Sequence, residues 1–121
     1  MTRMDRLRTL QRITQARSDL ALMPLRKLSV EEQLLRRALK DLAKADYAPE
    51  KMQAEEASNY SGVRQAWMNW SDTQMIRLNS RLAGVLADKE VALAEASNAV
   101  GRNHAVEAIL SRQACKTGRS D

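Results

Sequence analysis

The sequence contains no phenylalanine, and its aromatic residues are two tryptophans and two tyrosines. Globular cores depend heavily on aromatic side chains, so this shortage argues against a thick core. The chain has two prolines and four glycines in 121 residues, too few for an all-β or a disordered chain. Its single cysteine, Cys115, leaves no partner for an intrachain disulfide and no cysteine framework for zinc.

Hydrophobic stretches long enough for a membrane span, about 20 residues, are also lacking. The apolar residues near the N-terminus are interrupted by Arg and Gln, which is unlike a signal peptide. We therefore expect a cytoplasmic protein.

Leu, Ala, Arg and Glu dominate the composition, which is typical of coiled coils and long helices. Residues 63–114 contain no proline, and an unbroken helix of that size would be about 80 Å long. A compact domain of this chain length would be only about 35 Å across, so an elongated molecule is expected. Two apolar stripes follow this run: Leu82, Leu86, Leu93, Ala96 and Val100 on one face, and Val85, Ala92, Ala99 and Val106 at seven-residue spacing. Lys89 and Asn103 are polar residues at seam positions, where they would fix the helix register.

The first half of the chain predicts a second long helix of matching length. Residues 3–22 carry a broken apolar stripe formed by Leu7, Leu10, Ile13 and Leu20. Pro24 either kinks a continuous helix or ends it, in which case Ser29 and Glu32 would cap a new helix after a break at 24–28. The apolar residues keep helical spacing across the proline, which favours a kinked continuous helix over a break.

The segment 58–62, Ser-Asn-Tyr-Ser-Gly, is the best turn in the chain. The sequence therefore predicts an all-α protein: an elongated antiparallel two-helix coiled-coil hairpin with a kink near Pro24. It forms one domain over 1–121, with a first arm 3–57, a tip 58–62, a second arm 63–114 and a tail 115–121. Whether the hairpin closes on itself or dimerises stays open.

Basic residues are concentrated near both ends of a chain whose net charge is +5. In a hairpin these ends would meet and form a patch suited to an acidic partner, nucleic acid or an anionic membrane. In the alternative interpretation, these basic residues lie at an exposed end of the hairpin and contact only water. The candidate partner-binding residues in this patch are Arg3, Arg6, Arg8, Arg12, Arg112 and Lys116.

Catalytic groups are almost absent. His104 is the only histidine and has no partner that would make it a base or ligand, and Cys115 beside Lys116 is best interpreted as a passive thiol. No phosphate-binding glycine loop or zinc-protease motif is present. We expect a protein that is not an enzyme, with no catalytic residue, no cofactor, no metal and no small-molecule substrate.

Trp67 and Trp70 are the strongest candidates for a partner site, because a two-helix seam has no deep core for two indoles. Exposed aromatics beside Arg64 and Met68 are typical of binding hot spots. In the alternative interpretation, both rings pack across the first arm near Met52 and Leu42.

These features together resemble the FliJ family of the bacterial flagellar type III export apparatus and its YscO-type virulence counterparts. The resemblance consists of a basic start with Leu7 and Leu10, then Glu31-Glu32-Gln33-Leu34, a tip ending at Gly62, Ala66-Trp67-Met68-Asn69-Trp70, and a long second helix with Glu90, Glu95 and Arg102. It implies a stalk-like antiparallel hairpin that enters the hexameric export ATPase, promotes its assembly and contacts the export gate. The basic end would enter the ATPase. Gln33, Trp67 and Trp70 would face the gate or a chaperone, and the protein would be attached peripherally to the inner-membrane export apparatus.

Three other functions remain open. A nucleic-acid-binding regulator would use a helix-turn-helix corner at 24–29, followed by Arg36 and Arg37, although no concentrated basic stripe is present. A generic helical adaptor or oligomerisation protein would recruit further helices to the stripes at 82–106. A membrane-surface helix at 3–22 is a minor alternative.

Overall fold

The computed structural model describes residues 2–45 and 61–119, and all but two of these residues lie in two long α-helices. Helix α1 spans Arg3–Lys44 and helix α2 spans Ser61–Arg119. The helices pack against each other as an antiparallel pair, and the described ranges contain no strand. The predicted all-α two-helix hairpin is confirmed.

The contacts divide the chain into two compact units. Unit 1 combines Met1–Ser29 with Ala87–Asp121, and unit 2 consists of Val30–Leu86. In unit 1 the side chain of Thr14 reaches Asn103. In unit 2 the Arg81 guanidinium lies 3.5 Å from the Glu31 carboxylate.

A seven-residue repeat sets the seam between the helices in both units. Residues at alternating spacings of three and four are partly or fully buried on each helix, which is the pattern of knobs-into-holes packing. In unit 1 the seam residues are Met4, Leu7, Gln11, Thr14, Ser18, Ala21, Leu25 and Leu28 on α1, and Lys89, Ala92, Ala96, Ala99, Asn103, Val106, Leu110 and Gln113 on α2. In unit 2 they are Glu32, Leu35, Leu39 and Leu42 on α1, and Ser71, Met75, Leu78, Leu82 and Val85 on α2.

The seam of unit 1 is unusually polar. Asn103 is 4% exposed, and its side chain makes hydrogen bonds to both helices. The Thr14 hydroxyl donates to Asn103 Oδ1 at 2.9 Å, and Asn103 Nδ2 donates to Gln15 Oε1 at 2.8 Å and to Glu107 Oε1 at 3.3 Å. A shift of either helix would leave this buried amide without partners, so the network fixes the register of unit 1. The predicted role of Asn103 as a polar seam residue agrees with this geometry.

The apolar stripes of the sequence correspond only partly to this seam. Val85, Ala92 and Val106 of the seven-residue stripe are buried. The other predicted stripe is wrong at Leu93, which is 53% exposed. The α1 stripe is wrong as well, since Leu10, Ile13 and Leu20 are exposed while polar residues occupy the seam beside them. The physical reason is that the seam admits only the two positions per heptad that face the other helix.

Pro24 lies inside α1, which continues without interruption on both sides. The alternative of a break at 24–28 is therefore wrong, and Ser29 is an interior residue of the helix rather than its cap. Pro24 lacks an N–H and cannot donate to the Leu20 carbonyl, but the turns before and after it remain helical. A helix-turn-helix corner at 24–29 is thus excluded, because such a corner needs the chain to leave the helix there.

The predicted element boundaries need two corrections. Ser61 and Gly62 of the predicted tip belong to α2, and the predicted tail is helical as far as Arg119. The Thr117 hydroxyl is 3.0 Å from the carbonyl oxygens of both Gln113 and Ala114, which helps to satisfy acceptors in the last turns. Helix α1 ends at Lys44. The remainder of the first arm, 46–57, and the tip residues 58–60 lie outside the described residues, as does Met52.

Replacing Asn103 with alanine should destabilise the protein. The change removes three hydrogen bonds at a buried position, so we expect a loss of about 1–3 kcal/mol in the free energy of unfolding. Urea denaturation followed by circular dichroism measures it. Asn98→Ala, at an exposed position of the same helix, is the matched control. Equal stability of the two variants would contradict the register role.

Candidate functional site

The basic residues predicted to bind a partner lie in unit 1, on the surface where α1 begins and α2 ends. We call this set, Arg3, Arg6, Arg8, Arg12, Arg112 and Lys116, the basic end; all six side chains are exposed. The Thr14–Asn103 contact shows which residues are level across the hairpin. Because both helices rise by the same distance per residue, Arg3 lies level with Ala114, between Arg112 and Lys116. The structure therefore brings the two basic segments together.

The arginines at the start of α1 lie where positive charge destabilises a helix. The first turn of a helix carries partial positive charge from its free N–H groups, which disfavours the nearby Arg3 and Arg6. Arg112 and Lys116 lie near the opposite, negative end of α2, where cations are favourable. The arginines of α1 thus weaken the helix start, and binding an anionic surface would offset that cost.

Asp5 is the acidic residue in the first turn of α1, and it takes part in the N-terminal cap of that helix. Its backbone N–H donates to the Thr2 hydroxyl at 3.1 Å, and its carboxylate accepts from the Thr2 backbone N–H at 3.2 Å. This reciprocal pair is a capping box. Hydrogen bonding by the Thr2 side chain, then by its backbone, lowers the pKa of Asp5, with a smaller contribution from Arg8. The sequence carries a signal for this cap, Thr-x-x-Asp before a helical run, which is not among the predictions above.

The two tryptophans form an aromatic pair in unit 2. Their ring centroids are 5.2 Å apart, with an angle of 30° between the ring planes. Trp67 is half-buried, whereas Trp70 is 51% exposed. This tilted pair leaves about half of Trp70 in solvent and so presents an aromatic surface of the type found at binding hot spots.

A groove beside this pair joins the two helices. It has a volume of about 320 Å³ and is lined by Leu42, Ala43 and Ala45 of α1 and by Trp67, Met68, Ser71, Asp72 and Met75 of α2. Trp67 and Leu42 both line this groove, whereas Trp70 does not line it and is 51% exposed. Ser71 and Asp72 make the lining partly polar.

Gln33 is exposed on α1 but does not join the aromatic pair. The Glu31–Arg81 contact places Gln33 level with residues near 79. That is about nine residues from Trp70, or roughly 14 Å along the helix. The three residues predicted to face one partner thus form two separate surfaces of unit 2.

The remaining candidates form no chemical site within the described residues. His104 and Cys115 are both exposed. Over 2–45 and 61–119 no group of three His, Cys, Asp or Glu residues could hold a metal ion. In the same ranges, neither helix combines the length and apolarity needed to cross a membrane.

Comparison of the chain with protein-family models, curated proteins and solved structures found no match.

Removing the Thr2 hydroxyl should raise the pKa of Asp5. Because the folded-state pKa lies below the usual value of 3.8, the cap stabilises the folded state fully at pH values above the unfolded-state pKa. That contribution is lost as pH falls through the lower, folded-state pKa. In Thr2→Ala we expect the Asp5 pKa to move towards 3.8, measured by NMR titration of the carboxyl carbon. An unchanged pKa would show that the capping box is not formed.

The two tryptophans should differ in access to solvent. In Trp67→Phe the remaining Trp70 should emit at longer wavelength and be quenched more strongly by acrylamide than Trp67 is in Trp70→Phe, because Trp70 is exposed. Fluorescence of the two single-tryptophan variants measures this. Equal quenching would contradict the half-buried position of Trp67.

Proposed function

We propose that this protein is a non-enzymatic coiled-coil component of a bacterial flagellar or virulence type III export apparatus, of the kind that the FliJ family represents. In this proposal it binds the hexameric export ATPase, promotes its assembly and contacts the export gate. It acts in the cytoplasm and reaches the inner-membrane export apparatus only through these partners. It needs no cofactor.

The observation that carries the proposal is the basic end. A stalk that enters a ring must present its binding groups at one end of a two-helix hairpin, and six exposed cations lie at the paired ends of α1 and α2. The register through Asn103 brings both segments to the same level. Asp5, the acidic residue in the first turn of α1, is hydrogen-bonded to Thr2 and interacts electrostatically with Arg8, so the charge of the basic end stays strongly positive.

The aromatic pair is the second contact surface in this proposal. Trp70 is exposed and is held against Trp67, so it would bind the gate or a chaperone without the cost of ordering a flexible side chain. The nearby groove, with its mixed apolar and polar lining, would receive a side chain of that partner. Gln33 would contribute separately, from its own level on α1.

A helical adaptor that acts outside protein export is the second candidate. It is favoured by the number of large apolar side chains that α1 exposes, which include Leu20, Met23, Val30 and Leu34. The nucleic-acid regulator is not proposed, because its helix-turn-helix corner does not exist.

The test is the effect on the export ATPase of the same organism. We expect micromolar protein to increase ATP hydrolysis and the hexamer fraction, measured by a coupled assay and by analytical ultracentrifugation. The triple variant Arg6→Glu, Arg8→Glu, Arg12→Glu should lose most of this effect, because it reverses the charge of the basic end.

The control for this test is Arg37→Glu, Lys40→Glu, Arg77→Glu. It makes the same change in net charge at three exposed positions of unit 2, and it should stimulate as the unmodified protein does. No stimulation by the unmodified protein would sink the proposal. An equal loss in both triple variants would remove the basic end from it.

A further inference from the structure

Large apolar side chains on α1 of unit 1 face away from α2. Leu10, Ile13, Leu20 and Met23 are 44%, 47%, 65% and 61% exposed. The seam positions next to them are the smaller or polar Gln11, Thr14, Ser18 and Ala21. This half of α1 therefore leaves several large apolar side chains in solvent, and a contiguous apolar surface of this kind indicates an interaction site.

The exposed side chains follow a second regular repeat, which we call the outer stripe: Leu10, Ile13, Arg17, Leu20, Pro24 and Lys27. Each lies one residue before a seam residue, so the outer stripe is rotated by about 100° from the seam around the helix. Its spacings alternate between three and four, as those of the seam do. A stripe with this period keeps facing the same neighbour along a supercoiled helix, so its geometry suits another helix packed beside α1.

The charges around the outer stripe are almost all positive. Arg12, Arg17, Arg26 and Lys27 lie in or beside it, and over the residues that the structure describes none of them is in an ion pair. The one carboxylate between residues 6 and 27 is Asp19, which accepts a hydrogen bond from Gln15 at 3.0 Å. A partner with carboxylates flanking an apolar stripe would complement this surface.

A small cleft lies between the two helices at the edge of the outer stripe. Arg17 of α1 and Arg102 of α2 line it together with Thr14 and Ala99, in a cavity of about 50 Å³. The walls of this cleft are mostly apolar, and the two arginines that border it bring one positive charge from each helix. A carboxylate beside the cleft would be attracted by both cations and could accept hydrogen bonds from an arginine.

We propose that the outer stripe of α1 binds an acidic amphipathic helix of a partner protein, which packs beside α1 in coiled-coil fashion and places a carboxylate beside the cleft that Arg17 and Arg102 border. This surface adjoins the basic end at Arg12 and otherwise consists of different residues. The binding it describes does not depend on an export ATPase.

The charge pattern favours this occupant over two others. A second copy that packs through the same stripe would bring its own arginines against these, with only Asp19 of that stripe to compensate. A membrane surface would accept arginines at the edges of an apolar face, but Arg17 and Lys27 interrupt the stripe itself. A helical partner can pair these two side chains with its own carboxylates.

The test uses the full chain and a designed three-heptad helical peptide with Leu at the first and fourth positions and Glu at the flanking positions. We expect binding of this peptide by fluorescence anisotropy, and no binding of the same peptide with Lys in place of Glu. Leu20→Ser should weaken binding by about tenfold or more. Leu93→Ser, which changes a leucine exposed to a similar extent on α2, is the matched control and should bind as the unmodified protein does.

The arginine cleft is tested by charge. Arg17→Gln and Arg102→Gln should each weaken binding of the Glu peptide, and the double variant should lose little more than either single one if both contact one carboxylate. Equal effects of Leu20→Ser and Leu93→Ser, or failure of the Glu peptide to bind, would overturn the proposal. So would flotation with vesicles of phosphatidylcholine and phosphatidylserine without peptide binding, or a dimer in sedimentation equilibrium that Leu20→Ser abolishes.

Discussion

The hydrogen bonds of Asn103 hold the two helices of unit 1 at one register, and the surfaces of that unit depend on it. A slip by one heptad would remove Thr14 and Gln15 from Asn103 and leave a buried amide unpaired. The same slip would separate Arg17 from Arg102 and would move Arg112 and Lys116 away from the start of α1. A leucine at this position would add apolar contact but would accept more than one register, which explains what a polar residue contributes here.

The seam of unit 1 is narrow and partly polar, so large apolar side chains of α1 stay exposed on the side that faces away from α2. Apolar area that a larger seam would bury remains in solvent at Leu20 and Met23. Its removal from water by a partner would contribute about 25 cal/mol for each Å² covered. The narrow seam therefore makes the isolated hairpin less stable than a larger seam would. It also leaves apolar surface on α1 that a third helix can cover.

Charge and aromatic surface are distributed differently in the two units. In unit 1, cations lie at the helix ends and beside the outer stripe, and the acidic residue at the start of α1 is held in the Thr2 cap. In unit 2, Trp70 exposes an aromatic surface, and the groove beside Trp67 has a lining of apolar and polar residues. Protein–protein recognition uses both kinds of surface, charge for orientation and on-rate, and aromatic side chains for affinity. Neither surface requires a catalytic group.

Much of the secondary structure follows from local rules. The proline-free run, the good helix formers and the seven-residue stripe through Val85, Ala92 and Val106 predict α2, and Asn103 is identifiable as a polar seam residue before any partner is known. Local rules do not decide whether Leu20 or Ser18 lies in the seam of α1. Both stripes have helical spacing and lie about 100° apart, so hydrophobicity alone selects the larger residue. Packing against α2 selects Ser18, because only the face that meets the small and polar residues of α2 at the Asn103 register can be buried.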